Sequence, residues 1–234
     1  MDLEAVNAVK ETVAQACRVL GRVGLVDWLG HVSARIPDRD AIVIKGHGFD
    51  VGDMKNTTKE HMILIDFAGN LLEGSLKIPF EWPIHTCIYQ RRSDVQSVVH
   101  THQLMATAFV TAGKPILPIW HPRLSAPVAT PPPVFDDASL LLTTEQGDRL
   151  AMTLGSHQVC LLRGHGVITV GSSVEEASLT AIYLEKQAEM NYFTLQIGQP
   201  IPLRPNEMDL KPTPKANILG RWAYFTGLLK EDLK

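Results

Sequence analysis

The sequence predicts one layered domain of the α/β class, in an α+β arrangement of helices around a sheet. Segments with helical spacing of apolar residues alternate with short β-branched runs, which is typical of layered folds. The chain has 234 residues, 45% of them hydrophobic and 20% charged, as in ordinary globular proteins. That length allows one large domain or two small ones, and its only plausible linker is too short to establish a boundary. We therefore expect residues 1–234 to form a single domain.

The first third of the chain begins with an amphipathic helix and continues with short strands. Apolar residues at helical spacing predict a helix over residues 3–20 with one face buried. Runs of β-forming residues predict strands at 41–44 and 61–66. A turn then separates the second strand from a short apolar pair at 71–72.

The middle of the chain is predicted to contain a helix, a strand, an extended connection and a second helix. Residues 81–91 have Pro83 in the first helical turn, where its missing N–H costs little. Residues 96–101 are strongly β-branched and predict a strand. The proline-rich stretch 127–135 favours an extended backbone, and residues 138–154 are predicted to be helical.

Two strands and a long helix are predicted in the last third of the chain. Apolar runs at 158–162 and 167–170 are separated by an Arg-Gly-His-Gly segment, which predicts two strands joined by a turn. Ser173 then begins a long helix, because Glu176 lies three residues later in the pattern of a capping box. A buried apolar stripe continues along this helix as far as Tyr192.

Charge, cysteine content and hydropathy limit the classes of function. The formal net charge is -3 and no long basic run is present, so we expect no nucleic-acid partner. No stretch approaches the ~20 continuous apolar residues of a membrane helix, and the N-terminus does not resemble a secretory signal. The 3 cysteines lack C-x-x-C spacing. These features predict a cytoplasmic protein that acts on a small molecule without contacting a membrane.

The first indication of a metal site is the motif His100-Thr101-His102. Residues i and i+2 of a strand point to the same face, so the two imidazoles would project side by side, as two ligands of one metal do. The short motif alone also fits two hydrogen-bonded histidines without a ligand. His165 lies between two glycines directly after a predicted strand, where it is well placed as a third ligand or is simply a turn residue.

Glu81 and His85 add a carboxylate and an imidazole on one face of a predicted helix. Their i, i+4 spacing brings them to the same side. Glu81 is a candidate fourth ligand or general acid/base, and His85 is a candidate outer partner that orients it. An ordinary helix N-terminal carboxylate, favoured by the helix dipole, is the alternative for Glu81.

The motifs in their order resemble those of the class II aldolase/adducin family. They are G-H-V-S at 30–33, E-x-x-x-H at 81–85, V-V-H-T-H at 98–102 and G-H-G at 164–166. The resemblance extends from about residue 5 to about residue 200 and implies a three-layer fold with a central, mainly antiparallel sheet flanked by helices. It also implies a divalent metal bound by four residues, which are His100, His102, His165 and Glu81. Family members without these residues are non-enzymatic, so their presence implies an enzyme.

The chain departs from the sugar-phosphate aldolases of this family where those enzymes hold phosphate. His31 stands in place of an asparagine, His47 in place of a threonine, and Pro79 and Phe80 in place of two serines. A pocket with imidazoles, an aromatic ring and a nearby cation suits a flat, anionic aromatic better than a phosphorylated sugar.

Four side chains are therefore predicted to bind the substrate. We expect Lys45, His47 and Arg35 to pair with carboxylates and Phe80 to contact a ring face. Lys45 and Arg35 are equally explained as solvated surface charges, and Phe80 as a core residue. Weaker candidates for anion binding are Arg163 and Arg123.

The resemblance is greatest to the branch that decarboxylates ortho-hydroxylated aromatic acids. It implies a carboxy-lyase acting on 3-hydroxy-2-methylpyridine-4,5-dicarboxylate, from vitamin B6 degradation, or alternatively on a dihydroxyphthalate. A sugar-phosphate aldolase or epimerase, or a non-catalytic adducin-like module, is a further alternative. The ligand set suits Mn²⁺, Zn²⁺ or Fe²⁺, and the resemblance favours Mn²⁺. Glu81 or His31 would protonate the ring carbon.

The resemblance also implies a homo-oligomer, commonly a tetramer, with its active site near a subunit interface. The C-terminal segment would then be able to reach a neighbour's site. Its candidate residues are Arg221, Trp222 and Tyr224.

Overall fold

The protein is described by a computed structural model that covers residues 3–37, 39–48 and 52–230. Its strands, in chain order, are β1 His31–Arg35, β2 Ala41–Lys45, β3 Met62–Asp66, β4 Leu71–Glu73, β5 Ser97–Thr101, β6 Val134–Phe135, β7 Val159–Leu162 and β8 Gly166–Gly171. Its α-helices are α1 Leu3–Arg22, α2 Trp82–Arg91, α3 Leu104–Thr111, α4 Thr144–Leu154, α5 Val174–Ile197 and α6 Lys215–Leu228.

The strands form one sheet in the order β4-β3-β2-β1-β5-β8-β7-β6. Every neighbouring pair is antiparallel except β6 and β7, which are parallel. This arrangement confirms the predicted mainly antiparallel sheet. β5 lies between β1 and β8, and the register places His31 opposite His100 and Thr101 opposite Val167. The candidate histidines therefore come together at one end of the three central strands.

Helices cover both faces of the sheet and produce three layers. One face packs against α1, α5 and α6, where Val32, Val43 and Val99 are buried. The other face packs against α2 and α4, where Val98 and Ile168 are buried. Because side chains alternate along a strand, the even-numbered positions of β5 face α2, and His100 lies on that side with Val98.

The helix α4 begins later than the sequence indicates. The structure gives Thr144–Leu154 instead of 138–154, because Thr143 is the N-cap and exchanges hydrogen bonds with Gln146 in a capping box. The segment before it is a loop whose Leu141 side chain is buried.

The capping box predicted for the long helix forms only in part. The Ser173 hydroxyl accepts the amide hydrogen of Glu176, but the Glu176 carboxylate accepts from Ser172 instead of closing the box. Four further elements, β1, α3, β6 and α6, were not assigned from the sequence. Among the described residues, no helix combines the length and hydropathy that a membrane crossing requires.

Candidate metal centre

The end of β5 presents two imidazoles toward the same point. His100 is fully buried, and its Nδ1 lies 3.1 Å from the carbonyl oxygen of Val167 on β8. A neutral imidazole that donates from Nδ1 leaves its Nε2 lone pair available to a metal. The Nε2 atoms of His100 and His102 lie 3.1 Å apart. The alternation inferred from H-x-H therefore brings the two rings together.

His165 reaches the same point from the turn between β7 and β8. Gly164 has φ 68, a left-handed conformation that side chains rarely adopt. Gly166 begins β8 so close to β5 that a Cβ there would overlap the carbonyl oxygen of Thr101 and lie 3.1 Å from Cδ2 of His102. The glycines on both sides of His165 thus allow the tight turn and the close approach that place its ring 5.0 Å from that of His100.

Glu81 completes the group from the N-cap position of α2. Its side chain is buried, and Oε1 accepts a hydrogen bond of 3.1 Å from the backbone amide of Leu141. Its Oε2 lies 3.6 Å from Nε2 of His100, and its Oε1 lies 3.6 Å from Nε2 of His165. One ligand atom from each of the four residues falls within 4.8 Å of all the others. We call Glu81, His100, His102 and His165 the metal cluster.

The electrostatics of the metal cluster suit cation binding. Burial raises the pKa of Glu81, but its interactions with His100 and His165 outweigh burial and hold that pKa far below its usual value. Burial, and then the neighbouring His100 and His165, lower the pKa of His102 to about 4. Near neutral pH the carboxylate is therefore ionised and His102 is a neutral donor, which are the forms that bind a divalent ion.

His31 and His85 form a second pair of rings beside the metal cluster. His31 lies opposite His100, with 5.9 Å between the ring centroids. The ring of His85 meets that of His31 edge-on at 5.8 Å, and its Nδ1 lies 2.7 Å from Oγ of Ser33. Burial, and then nearby imidazoles, lower the pKa of both histidines. His85 thus contacts His31 and Ser33, and no hydrogen bond joins it to Glu81, which it was expected to orient.

A cavity of about 430 Å³ is lined in part by Asp27, Lys45 and His47. Asp27 interacts electrostatically with His102 of the metal cluster, and each affects the pKa of the other. Lys45 is 5% exposed, and no ion pair joins it to an acid among the residues that the structure describes. Burial lowers its pKa. Phe80 is 67% exposed, with its ring 5.1 Å from that of His47.

Arg35 lies outside this site, at the opposite end of β1 from His31. Its guanidinium donates to the carbonyl oxygens of Tyr89, Arg92 and Val95, and it lies over the rings of Phe67 and Tyr89. The expectation that Arg35 binds a substrate carboxylate is corrected, because its donors already serve the backbone. The two weaker candidates are paired as well, Arg123 with Asp209 and Arg163 with Asp136.

The C-terminal candidates lie on α6, which packs against α1 and α5 on the other side of the sheet. Trp222 is buried there and donates to Gln15. Within one chain, Arg221, Trp222 and Tyr224 therefore do not reach the metal cluster. A contribution of this segment to a neighbouring subunit stays a prediction.

The sequence profile of the class II aldolase and adducin N-terminal domain matches residues 11–192. The chain belongs to the class II aldolase and adducin family. It is 32% identical over 201 residues to the 3,4-dihydroxyphthalate decarboxylase of Arthrobacter keyseri, covering 81% of this chain and 79% of that protein. It is 30% identical over 202 residues to the L-fuculose phosphate aldolase of Escherichia coli O6:H1, covering 86% of this chain and 90% of that enzyme.

Solved structures share the fold of this class II aldolase family member. An aldolase II superfamily protein from Pseudomonas syringae aligns with a TM-score of 0.84 and 23% identity, over 97% of this chain and 93% of that one. The L-fuculose 1-phosphate aldolase of Glaciozyma antarctica aligns with a TM-score of 0.79 and 22% identity, over 98% and 92% of the two chains. These likenesses confirm the predicted fold.

Three groups in or near the site were not singled out from the sequence: the Tyr89 side chain, the backbone amide of Leu141 and the Glu185 side chain. Tyr89 lies one helical turn after His85, which itself follows Glu81 by one turn, so helical spacing was a usable signal for it. The amide of Leu141 had no such signal, because it is a main-chain group in an irregular loop. Glu185 accepts from the amides of Met105 and Ala106 just after His102, and its position 80 residues later gave no indication of that contact.

Proposed function

We propose that the protein is a divalent-metal-dependent carboxy-lyase that acts on an aromatic ring with a hydroxyl group ortho to one of two adjacent carboxylates. The observation that carries this proposal is the metal cluster, together with a cavity lined by a buried lysine that has no acidic partner among the described residues. An ion held by the metal cluster can chelate a hydroxy acid, and the lysine can bind a further carboxylate.

Four residues are proposed to hold the ion: His100, His102, His165 and Glu81. Three imidazoles and one carboxylate suit Mn²⁺, Zn²⁺ or Fe²⁺, and we favour Mn²⁺ on the likeness to the decarboxylase branch. The buried, ionised Glu81 receives one backbone hydrogen bond, from Leu141, so a cation would compensate its charge. An ion there supplies Lewis acidity and a template for chelating oxygens.

Lys45, His47 and Phe80 are the proposed substrate-binding residues. Lys45 lines the cavity, and a carboxylate bound there would provide the counter-charge that the described residues do not. The exposed ring of Phe80 lies 5.1 Å from that of His47, which lines the cavity, so it would contact an aromatic ring bound there. Arg35 has no part in this proposal.

The reaction requires one proton. The bond between the ring carbon and its carboxylate breaks, the electron pair stays on the ring carbon, CO₂ leaves, and a proton takes its place. His31 and Glu81 are the two candidates to deliver it, because both lie at the metal cluster. Of these two residues, only His31 can be replaced without removing one of the four proposed metal ligands, so its role can be tested separately. A His31→Gln variant that keeps its metal but loses turnover would assign the proton to His31.

The substrate class is supported by what two named compounds have in common. The relatives from Arthrobacter keyseri and Rhodococcus jostii are 3,4-dihydroxyphthalate decarboxylases. The substrate inferred from the sequence, 3-hydroxy-2-methylpyridine-4,5-dicarboxylate, presents the same hydroxyl, carboxylate and second carboxylate on adjacent ring carbons. We propose this three-group pattern as the recognised unit.

A sugar-phosphate aldolase is the second candidate function, favoured by the L-fuculose phosphate aldolases among the relatives. A phosphate would also pair with Lys45. The positions of His31, His47 and Phe80 count against it, because they replace the small hydrogen-bonding side chains expected around a phosphate.

We further propose that the protein forms a homo-oligomer, in the first instance a tetramer. Exposed apolar side chains accumulate around the end of α5, and among them Ile197 is 90% and Ile201 87% exposed. Such clusters commonly mark contacts between subunits. Light scattering coupled to size-exclusion chromatography measures the mass directly.

A substrate panel tests the proposed function. The Mn²⁺-supplemented protein is incubated with 3,4-dihydroxyphthalate, 3-hydroxy-2-methylpyridine-4,5-dicarboxylate, their analogues without the ring hydroxyl, and L-fuculose 1-phosphate. We expect CO₂ from one or both hydroxy diacids and none from the analogues. Aldol cleavage of the sugar phosphate without any CO₂ release would reject the decarboxylase and support the second candidate.

A further inference from the structure

Three buried side chains, Tyr89, Ser33 and His85, are joined by hydrogen bonds beside the ring of His31. The hydroxyl oxygen of Tyr89 lies 2.8 Å from Oγ of Ser33, and the same Oγ lies 2.7 Å from Nδ1 of His85. All three residues are almost completely buried, with Tyr89 at 1% and the other two at 0% exposure. Because these groups are shielded from bulk solvent, we expect Tyr89, Ser33 and Nδ1 of His85 to satisfy one another's hydrogen bonds.

The number of hydroxyl hydrogens determines which atom donates in each of these two hydrogen bonds. Tyr89 and Ser33 have one hydroxyl hydrogen each. Ser33 is the one hydrogen-bond partner found for the phenolic oxygen among the described side chains. If Tyr89 did not donate to Ser33, its hydrogen would be left unsatisfied at a cost of about 1–3 kcal/mol. Tyr89 therefore donates to Ser33, and Ser33 donates to Nδ1 of His85.

His85 then carries its hydrogen on Nε2. A neutral imidazole that accepts at Nδ1 is protonated at the other nitrogen. This Nε2 is buried and has no hydrogen-bond partner among the residues that the structure describes. Nδ1 of the adjacent His31 is likewise buried and unpartnered within the described part of the chain. The two rings, which meet edge-on with their centroids 5.8 Å apart, thus leave one donor and one ring nitrogen without a partner among the described residues.

We propose that Tyr89 and Ser33 hold His85 in the Nε2–H tautomer, and that His85 uses this hydrogen to position an oxygen atom, from water or from a substrate hydroxyl, against Nδ1 of His31. The role of the positioned oxygen in turnover rests on the proposed function, but the tautomer does not. His85 is thus a positioning residue. It acts on the group that lies between the two rings, and the metal cluster is left intact when it is replaced.

Solid-state NMR of protein labelled with ¹⁵N in its histidine rings tests the tautomer directly. Metal-free and Zn²⁺-loaded samples avoid paramagnetic broadening, and the difference spectrum against His85→Gln identifies the His85 signals. We expect a protonated Nε2 and a bare Nδ1, and we expect Ser33→Ala to remove that preference. A wild-type His85 that carries its hydrogen on Nδ1 would overturn the inference, whatever the substrate is.

Rescue by a conservative variant tests the positioning role. A glutamine at position 85 retains an amide N–H donor near Nε2, whereas leucine removes it. We expect His85→Leu to lower kcat by roughly 10- to 100-fold with unchanged metal content, and His85→Gln to recover most of this loss. The matched control is Thr86→Val, a buried neighbour on α2 outside the chain of hydrogen bonds, which should leave kcat unchanged.

The outcomes separate this inference from the proposed function. Equal losses in His85→Leu and His85→Gln would overturn the positioning role. Turnover together with an Nδ1–H tautomer would reject the inference and leave the carboxy-lyase standing. An Nε2–H tautomer in a protein that turns over no hydroxy diacid would reject the function and uphold the tautomer.

Discussion

Nδ1 of His100 lies 3.1 Å from the carbonyl oxygen of Val167, so the strand next to β5 determines which nitrogen of this imidazole faces the metal cluster. The contact depends on the register of β5 and β8, which places Thr101 opposite Val167. The geometry of the proposed metal site is therefore a property of the sheet as much as of the four ligands.

Gly166 is predicted to be essential for this register. In Gly166→Ala the new Cβ would overlap the carbonyl oxygen of Thr101, forcing β5 and β8 apart. We expect a loss of about 1–3 kcal/mol in the free energy of unfolding and a weaker Mn²⁺ affinity, by roughly 10- to 100-fold. Urea unfolding and metal titration measure these effects. Gly198→Ala, where a Cβ meets nothing within 4 Å, is the control, and an equal result for both variants would refute the prediction.

Lys45 is predicted to contribute to substrate affinity at the expense of stability. Because burial lowers its pKa, its charged form is disfavoured in the folded protein, and Lys45→Met should leave the melting temperature unchanged or raise it. Loss of a charge-assisted hydrogen bond of about 1.5–3 kcal/mol should raise KM for the diacid by roughly 10- to 100-fold. Exposed Lys59→Met serves as the control. An unchanged KM would remove Lys45 from the site.

Arg35 should show the opposite behaviour. Lysine cannot replace a guanidinium that donates to three backbone carbonyls and lies over two aromatic rings. Arg35→Lys is expected to lower the free energy of unfolding by about 1–3 kcal/mol and to leave KM unchanged. Steady-state kinetics below the melting transition separate the two effects. A KM raised as much as in Lys45→Met would return Arg35 to the substrate site.

Glu185 gives a pH dependence that can be checked on metal-free protein. Burial raises its pKa, and the amide hydrogen bonds of Met105 and Ala106 offset this only in part. Its folded pKa lies above the unfolded value, so its stabilising contribution is present below the unfolded pKa and is lost as pH rises through the folded pKa. Glutamine resembles the protonated form at every pH. Wild type should therefore lose stability relative to Glu185→Gln as pH rises from about 4.5 toward neutrality.

Urea unfolding at several pH values measures that difference, with exposed Glu145→Gln as the control. The prediction fails if wild type gains stability relative to Glu185→Gln over the same pH interval. Such a result would mean that the helix amides of α3 stabilise the charged carboxylate more than burial penalises it.

The parts of the site that follow from local patterns could be predicted from the sequence. Strand alternation brought His100 and His102 together, and flanking glycines indicated the turn at His165. The family resemblance selected the ligand role among the alternatives for Glu81 and added the three-layer fold.

The remainder depends on pairings between distant segments. Arg35 lies on the same strand as His31, but the backbone carbonyls that bind it come from the end of α2 and the residues after it. His85 faces Ser33 and His31 because of how α2 packs on β1, which helical spacing from Glu81 does not reveal. The late start of α4 is different, because the capping box of Thr143 and Gln146 that sets it is a local pattern present in the sequence.

Metal-dependent release of CO₂ distinguishes a carboxy-lyase built on the metal cluster from every alternative. Chelated protein is assayed with carboxyl-labelled hydroxy diacid before and after Mn²⁺ is added, for wild type, His102→Ala and the control His157→Ala, whose ring lies outside the metal cluster. We predict that Mn²⁺ restores release to wild type and His157→Ala, whereas a folded His102→Ala stays inactive. Release that survives chelation, or that His102→Ala supports as well as wild type, would show that the metal cluster does not carry the reaction.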